Sequence, residues 1–315
     1  MAEQNAIAAP EGFTVRPPRE QDLEAVTALM RSYEEEFEGE PEAQADDVRM
    51  SWRRARFDLE RDAWIIAAPD GSIAGYADVW DRDPGRDWHV DGYVHRDYRG
   101  RGAGRALVRL SERRACERSA PAGRAVIWNI VAHTDEAGRR LLEEEAYHAE
   151  RLYWRMVIDL QSEPPESAPP PGVTIRTLAL GQDEREVYEV VQDASSDGHN
   201  YVRLPYEEWA QLMFEREGFD PALFFVATAD ARIVGVALCP EAGWVRQVAV
   251  RREWRRRGVA GALLRHAFRE FYRRGTRRAG LVVDSYNRTG ARRVYEAAGM
   301  RQERQHDWYM KVLRQ

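Results

Sequence analysis

The chain repeats itself once, and this repeat restricts the possible folds more than any other feature of its sequence. Six short matches recur in the same order about half a chain apart, as expected for a duplicated domain. They include Gly12-Phe-Thr-Val-Arg16 with Gly172-Val-Thr-Ile-Arg176, Ile73-Ala-Gly75 with Ile233-Val-Gly235, and Trp154-Arg-Met156 with Trp308-Tyr-Met310. The sequence therefore predicts two copies of one fold.

A proline-rich segment separates the two copies. Residues 161–171 contain five prolines and no large apolar side chain, so this stretch cannot form a core and should be extended. The chain has 315 residues, a length that suits two globular domains. We predict domains at residues 1–160 and 172–315, joined by the linker at 161–171.

Each copy contains the same succession of predicted elements. A short strand precedes a helix that Asp22 or Asp183 can cap, and a second helix follows. A hairpin leads to a strand at residues 88–94 or 244–250, then to a glycine loop, a long helix and another apolar strand. Strands joined through a helix should be parallel, which predicts an α/β fold with a mixed sheet in each copy. A short helix and a final strand are expected to close each copy.

Bulk properties limit the class of partner. The formal net charge is −6, which disfavours nucleic acid and anionic membranes as partners. The two cysteines, Cys116 and Cys239, lie far apart in sequence and the histidines show no metal spacing, so we expect no metal site and a reduced, cytoplasmic protein. The N-terminus lacks a signal peptide pattern, and no apolar run has membrane-spanning length.

The glycine loops carry the predicted chemistry. Arg99-x-x-Gly102-x-Gly104 and Arg255-x-x-Gly258-x-Ala260 each follow a strand and begin a helix. The first turn of a helix has unpaired N–H groups and the positive end of the helix dipole, which together suit a phosphate. Small residues let an anion approach the backbone, and arginine adds charge-assisted hydrogen bonds.

With these loops in place, both copies resemble the GNAT superfamily of N-acetyltransferases, whose loop binds the pyrophosphate of coenzyme A. The resemblance implies two tandem acyl-CoA N-acyltransferase domains, acetyl-CoA as the acetyl donor and a small-molecule amine as acceptor. It implies cofactor contacts in the second copy at Val248, Ala249, Val250, Arg255, Arg256, Arg257, Gly258, Val259, Ala260, Gly261 and Asn287. The counterparts in the first copy are Val94, Arg99, Gly100, Arg101, Gly102, Ala103 and Gly104.

The two copies differ at the position of the leaving-group acid. The resemblance places Tyr295 beside the thioester sulfur, where a phenol with an ordinary pKa of about 10 can donate a proton. The first copy has Leu142 at this position and His133 at the position of Asn287. Leucine cannot donate a proton, so we expect turnover in the second copy and a catalytically degenerate first copy. His89 and Asp91 are the alternative acid candidates if the first copy is active.

The general base and the acceptor pocket are less clearly marked. Tandem members of the superfamily include mycothiol synthase, which the chain resembles in size, duplication and second loop. The strand glutamate expected of that group is replaced by Trp244, which leaves Glu241, Asp284 or a water chain as base. A turn-rich segment where the superfamily builds its acceptor pocket offers Asp197, His199 and Asn200.

The sequence thus predicts an acetyl-CoA-dependent N-acetyltransferase that acts on a primary amine with Tyr295 as general acid. Two alternatives stay open: a non-catalytic, regulatory CoA-binding protein, and acetylation of a cysteinyl pseudodisaccharide by a mycothiol synthase-like route. Either a monomer or a homodimer fits the sequence.

Overall fold

A computed structural model describes residues 9–166, 168–196, 201, 203–215, 218–286 and 290–314. In the first half of the chain, strands and helices follow the predicted succession. In chain order they are β1 (Thr14–Arg16), α1 (Leu23–Phe37), α2 (Ala45–Trp52), β2 (Ala63–Ala67), β3 (Ile73–Asp83), β4 (Asp87–Val94), α3 (Ala103–Arg118), β5 (Ala125–Ala132), α4 (Glu136–Glu144) and β6 (His148–Asp159).

The second half repeats this order, which confirms the predicted duplication at the level of structure. Its elements are β7 (Thr174–Thr177), α5 (Glu184–Ser195), α6 (Tyr206–Phe214), β8 (Phe224–Ala229), β9 (Arg232–Leu238), β10 (Gln247–Val250), α7 (Val259–Arg273), β11 (Arg278–Asp284), α8 (Ala291–Ala297) and β12 (Arg301–Arg314). Strand β10 begins three residues later than the predicted strand, because Trp244 forms only an isolated bridge.

The chain divides into two compact units that do not coincide with the two halves of the sequence. One unit comprises Met1–Leu152 with Arg304–Gln315, and the other comprises Tyr153–Glu303. In the first unit β12 pairs antiparallel with β5, and in the second unit β6 pairs antiparallel with β11. The final strand of each half therefore completes the unit built mainly by the other half. This corrects the expectation that each copy closes on its own last strand.

Both units are mixed sheets with helices on two faces. In the first unit the sheet runs β1-β2-β3-β4-β5-β12, with β4 and β5 parallel as predicted. Leu107 and Val108 of α3 pack with Ala77, Val79 and Val90 on one face. Each large apolar side chain buried in this way stabilises the fold by roughly 1.5–3 kcal/mol.

Helix α1 covers the opposite face of the first sheet. Its residues Val26 and Leu29 pack with Ile65 and Tyr76. From Gly75 onward the strand alternates accordingly, so that odd positions of β3 face α3 and even positions face α1. A register shift against β2 reverses the sides before this point, and Ala74 packs on the α3 face while Ile73 packs on the α1 face. This alternation decides which strand residues can meet a ligand on each side.

The second unit repeats the two-faced packing. Phe225 and Ala237 pack with Leu263 and Phe268 of α7 on one face, while α5 and α6 pack against the other. The same helix period and strand alternation therefore build both cores.

Two predicted helix caps have a different role in the structure. Asp22 and Asp183 immediately precede α1 and α5, but neither side chain caps the helix backbone. Asp22 accepts two hydrogen bonds of 2.7 Å from Arg16, and Asp183 accepts from Arg176 at 2.5 and 2.9 Å. Each carboxylate also accepts a backbone N–H at 2.7 Å, from Arg19 and Ala179 respectively, in the turn before the helix. The bidentate pair is charge-assisted, and it ties the first strand of each copy to its first helix.

Candidate active site

Each glycine loop turns sharply into the helix that follows it. Gly102 and Gly258 stand at the N-caps of α3 and α7 with φ of 88° and 86°. The first helical hydrogen bonds run from Ala106 N–H to Gly102 C=O and from Ala262 N–H to Gly258 C=O, both at 3.0 Å. The N–H groups that precede them in the first turn point along the helix axis, where an anion can accept their hydrogen bonds.

The loops differ at the second residue of the motif. Gly100 and Arg256 occupy equivalent turn positions, with φ of 74° and 60°. This left-handed conformation is free for glycine and strained for arginine. The second copy therefore holds an arginine at a position where backbone geometry favours glycine, and that arginine is exposed.

The loop arginines are oriented by neighbouring groups. Arg99 donates to both oxygens of Glu36 at 2.5 and 3.1 Å and lies 4.8 Å above the Phe37 ring. This contact lowers the pKa of Glu36 below its usual range. In the second copy Arg255 Nε donates to the Val250 carbonyl at 3.2 Å. Both guanidinium groups are thereby fixed beside the start of the helix.

Strands β4 and β5 separate just before the first loop. Their parallel ladder extends from Asp87 and Val126 to Val90 and Asn129, whereas the strands continue to Val94 and Ala132. A cavity of about 450 Å³ occupies the gap. It is lined by β4, β5, α3, α4 and the glycine loop, and it includes the predicted residues Val94, Arg99, Gly100, Gly102 and Gly104.

The strands of the second copy make a comparable fork. A parallel bridge joins Trp244 to Gly280, and Val245 N–H donates to the Gly280 carbonyl at 2.9 Å. Beyond this point β10 pairs with β9, while β11 pairs with β6 as far as Asp284. Each copy thus opens a slot between two parallel strands that leads to an anion-binding helix terminus.

The cavity of the first copy has an unsatisfied donor on its wall. Asn129 is 7% exposed, and its Nδ2 makes no hydrogen bond of normal geometry among the described residues, although Asn129 interacts with the buried hydroxyl of Tyr147. A buried amide donor of this kind destabilises the fold unless a ligand or a water molecule accepts its hydrogen bond. The polar backbone of a pantetheine arm fits such a donor, and the helix terminus fits the pyrophosphate. The residues present therefore fit coenzyme A.

Tyr295 lies on α8 and is half-buried against the core of the second unit. Burial raises the pKa of its phenol to about 12, so the phenol stays protonated at neutral pH. Leu142 on α4 has the matching position in the first copy; it is 5% exposed and lines the cavity. A side chain at this position of the short helix therefore faces the slot in the first copy.

Comparison with known proteins agrees with this geometry. The sequence profile of the Acetyltransferase (GNAT) family matches residues 26–146 and 185–300, one match in each copy. The chain belongs to the GNAT family. A mycothiol acetyltransferase of Thermomonospora curvata is 32% identical over 241 residues, which cover 75% of this chain and 77% of that protein.

Solved structures give the same result. A GCN5-related N-acetyltransferase from Sphaerobacter thermophilus is 35% identical, with a TM-score of 0.88 and 98% of each chain covered. A tandem GNAT protein from the clavulanic acid biosynthesis pathway shares the fold at 17% identity, with a TM-score of 0.73 over 96% of this chain and 99% of that one. The chain is therefore an N-acetyltransferase with two GNAT domains, as the sequence predicted. Acetyl-CoA is the donor that the family uses.

The predicted base candidates differ in their surroundings. Glu241 is exposed in a turn and forms a bridge with Trp244. Asp284 ends β11, is half-buried, and accepts the Tyr286 N–H at 2.8 Å. The predicted ligands Asn287, Asp197, His199 and Asn200 lie outside the described residues. Glu241 and Asp284 therefore stay predictions as the base of this GNAT domain.

Several residues that line the cavity of the first GNAT domain are not among the predicted positions. Tyr33, Tyr93 and Asp135 line the cavity together with Asn129. Tyr33 Oη accepts the Ala132 N–H at 3.0 Å, and burial beside Asp135 raises the pKa of Tyr33. Asn129 had a detectable signal, because it is a polar residue inside an otherwise apolar strand.

Three other positions named from the sequence contact neighbouring groups in this copy, and Arg101 and Ala103 stay predictions as cofactor contacts. His133 Nδ1 lies 2.9 Å from Asp307 Oδ2, and Arg139 Nε is 3.3 Å from the same carboxylate. Arg101 lies 5.6 Å from the centre of the Tyr98 ring, and Ala103 is buried at the start of α3.

The described residues contain no group of three or more side chains arranged to bind a metal. None of their helices has the length and apolar character that crossing a bilayer requires.

Proposed function

We propose that the chain transfers an acetyl group from acetyl-CoA to the primary amine of a small molecule, and that the second copy catalyses this reaction with Tyr295 as general acid. The observation that carries the proposal is the place of Tyr295 on α8, because it matches Leu142 of the first copy, which lines the cavity between the parted strands. A group that stays protonated at neutral pH can supply the proton that a departing thiolate needs.

The fork of the second copy supplies the remaining requirements. The first turn of α7 offers backbone N–H groups to the pyrophosphate, and Arg255 lies beside them. The backbone of β10, at Val248 and its neighbours, borders the slot and offers N–H groups for the thioester oxygen. Bound acetyl-CoA contributes an electrophilic thioester carbon. The acceptor must lose a proton before it attacks, for which Asp284, Glu241 and water are the candidates.

The test compares Tyr295→Phe with the full-length wild type in an acetyl-CoA consumption assay against amines. Loss of the phenol should lower kcat by roughly 10²–10⁴-fold, the usual contribution of general acid catalysis, with little change in the KM for acetyl-CoA. Tyr272→Phe is the matched control, since Tyr272 is a half-buried tyrosine of α7 in the same unit. Leu142→Ala should leave turnover nearly unchanged. Equal turnover by wild type and Tyr295→Phe refutes the assignment.

A cysteinyl pseudodisaccharide is the second candidate acceptor. It is favoured by the 32% identity to a mycothiol acetyltransferase. It is disfavoured by Trp244, which stands where the resemblance to mycothiol synthase implies a glutamate. The same assay decides between them: a kcat/KM for the pseudodisaccharide at least tenfold above that for simple amines supports the mycothiol-like acceptor, and the reverse order excludes it.

A further inference from the structure

Two carboxylates face each other on the α1 side of the first sheet. In the ladder between β3 and β4, Asp78 lies directly opposite Asp91. Tyr76 Oη donates to Asp78 Oδ2 at 2.7 Å, and Trp80 Nε1 donates to Asp91 Oδ2 at 3.3 Å. Asp78 Oδ1 has no hydrogen-bond partner among the described residues, and the guanidinium of Arg54 is 3.9 Å away.

This pair is costly for the fold. Like charges directly opposite each other on neighbouring strands are destabilising, and Asp78 is only 1% exposed. Burial, with Asp91 opposite, raises the pKa of Asp78 to about 7. The architecture does not require the pair, because the same pairing position of the second copy holds Leu238 and Gln247.

The pair lies beside the cavity of the first copy. Tyr93, two residues further along β4 and on the same face, lines that cavity. Asp91 is half-buried, so a ligand can reach it, and Trp80 beside it stacks on His89 with ring centres 4.7 Å apart. Neither carboxylate lines the cavity itself, but Tyr93 connects the two, because it lines the cavity and lies on the same face of β4 as Asp91.

The charges around Asp78 and Asp91 indicate what kind of ligand would bind the pair. Arg54 lies over Trp80 at 4.6 Å and is the cation close to the pair. The buried carboxylate of Asp62 also acts on Asp78 but is already held by Arg114 and Arg118 at 2.7 and 2.8 Å. Because the pKa of Asp78 is raised to about 7, Asp78 is partly protonated while the site is empty. When both carboxylates ionise around a bound ammonium group, that group and Arg54 together balance their two negative charges.

We propose that this face of the first copy is a second acetyl-transfer site, whose acceptor is a small molecule with a protonated primary amine held by Asp78 and Asp91. The ammonium gives one proton to the carboxylate pair and becomes a neutral amine. Its nitrogen forms a bond to the thioester carbon, and the carbon–sulfur bond breaks. The second nitrogen proton passes to the sulfur, so the products are the amide and the free thiol of coenzyme A. This site needs neither Tyr295 nor a counterpart of it.

Binding is tested on the full-length chain by calorimetric titration with 1,4-diaminobutane and, in a separate arm, glucosamine. Asp91→Asn and Asp78→Asn should each weaken binding of the preferred amine at least tenfold. Asp47→Asn, the same change at an exposed position of the same unit, should leave the Kd within twofold. Thermal melting of Asp91→Asn should be unchanged or higher, because a like-charge contact is removed, so weaker binding cannot be ascribed to unfolding. Equal Kd values for wild type and Asp91→Asn overturn the proposal.

Transfer is tested in the Tyr295→Phe background, with the acetylated amine measured by mass spectrometry. We expect Tyr295→Phe to retain acetylation of the bound amine and Tyr295→Phe/Asp91→Asn to lose at least nine-tenths of it. Loss of that product on Tyr295→Phe alone overturns the second site. The effect of Asp91→Asn is measured within the Tyr295→Phe background, so it does not depend on whether Tyr295→Phe slows the second copy. One result can therefore contradict the second site while the proposed function stands, and the reverse.

Discussion

The two glycine loops provide a matched pair of substitutions that test how the anion-binding turn is built. Arg256 has a left-handed backbone conformation with φ of 60°, and Gly100 has the equivalent conformation at 74°. A Cβ added at Gly100 would meet no atom within 4 Å. Gly100→Ala and Arg256→Gly therefore change the backbone preference at one turn in opposite directions, and Gly100→Ala does so without a steric clash.

The magnitudes follow from two opposing effects. A non-glycine residue in this conformation costs roughly 1–2 kcal/mol, while glycine costs roughly 0.5–1 kcal/mol through the extra freedom of the unfolded chain. Arg256→Gly should thus increase the free energy of unfolding by about 0.5–1 kcal/mol, and Gly100→Ala should decrease it by a similar amount. For compact domains of this size, a change of 1 kcal/mol in the free energy of unfolding shifts Tm by roughly 2–4 °C.

Differential scanning calorimetry of the full-length chain measures both changes. Gly261→Ala is the control: Gly261 lies in the first turn of α7 without a positive φ, so alanine there should stabilise by up to roughly 1 kcal/mol. The reasoning is refuted if Arg256→Gly lowers Tm, or if Arg256→Gly and Gly100→Ala shift it in the same direction. Arg256→Gly should also keep its KM for acetyl-CoA within about threefold, because backbone N–H groups supply most of the anion contacts.

Three further predictions concern single side chains. Asp135→Ala removes a buried cap whose Oδ1 accepts the Gly138 N–H at 2.9 Å, and should cost about 1–2 kcal/mol in a denaturant titration; an unchanged midpoint would contradict the cap. The hydrogen bonds from Arg16 lower the pKa of Asp22, so its carboxylate adds stability above pH ~4 and loses it as pH falls through the folded-state pKa. Asp22→Asn should consequently destabilise at pH 7 and converge with wild type near pH ~2, and a constant difference across that range would exclude this linkage. With the pKa of Tyr295 at about 12, the rate–pH profile of the Tyr295-dependent reaction should show no alkaline fall below pH ~10; a fall centred near pH 8 would assign the acid to another group.

The two copies carry different reactive side chains beside the fork of their strands. The second copy has Tyr295, the proposed leaving-group acid, and an uncharged strand pair formed by Leu238 and Gln247. The first copy has Leu142 at the acid position and a carboxylate pair at Asp78 and Asp91. Duplication preserved the loops and the fork while the groups beside the fork diverged, which is the basis for proposing different acceptors.

The candidate site could be predicted only where its residues are close in sequence. The loop from Arg99 onward and its repeat at Arg255 follow a strand and precede a helix, so local spacing was enough to identify both. Asp78 could not be paired with Asp91 from sequence, because their contact depends on the register of β3 with β4. Asn129 stands out in the sequence as a polar residue of an apolar strand, but its place on the cavity wall depends on the separation of β4 and β5.

The sequence by itself determined the duplication, the order of strands and helices in each copy, and the glycine loops that begin α3 and α7. These features depend on local periodicity, turn residues and short spacings, and they require no knowledge of distant contacts. Only the tertiary structure decided where the final strands pair. The two last strands have the same alternation of side chains, as the repeat of Trp154-Arg-Met156 in Trp308-Tyr-Met310 shows. The sequence pattern therefore gives no preference for pairing a last strand with the sheet of its own copy or of the other copy. Pairing β6 with β11 and β12 with β5 is a non-local choice, as is the carboxylate pair that distinguishes the first copy.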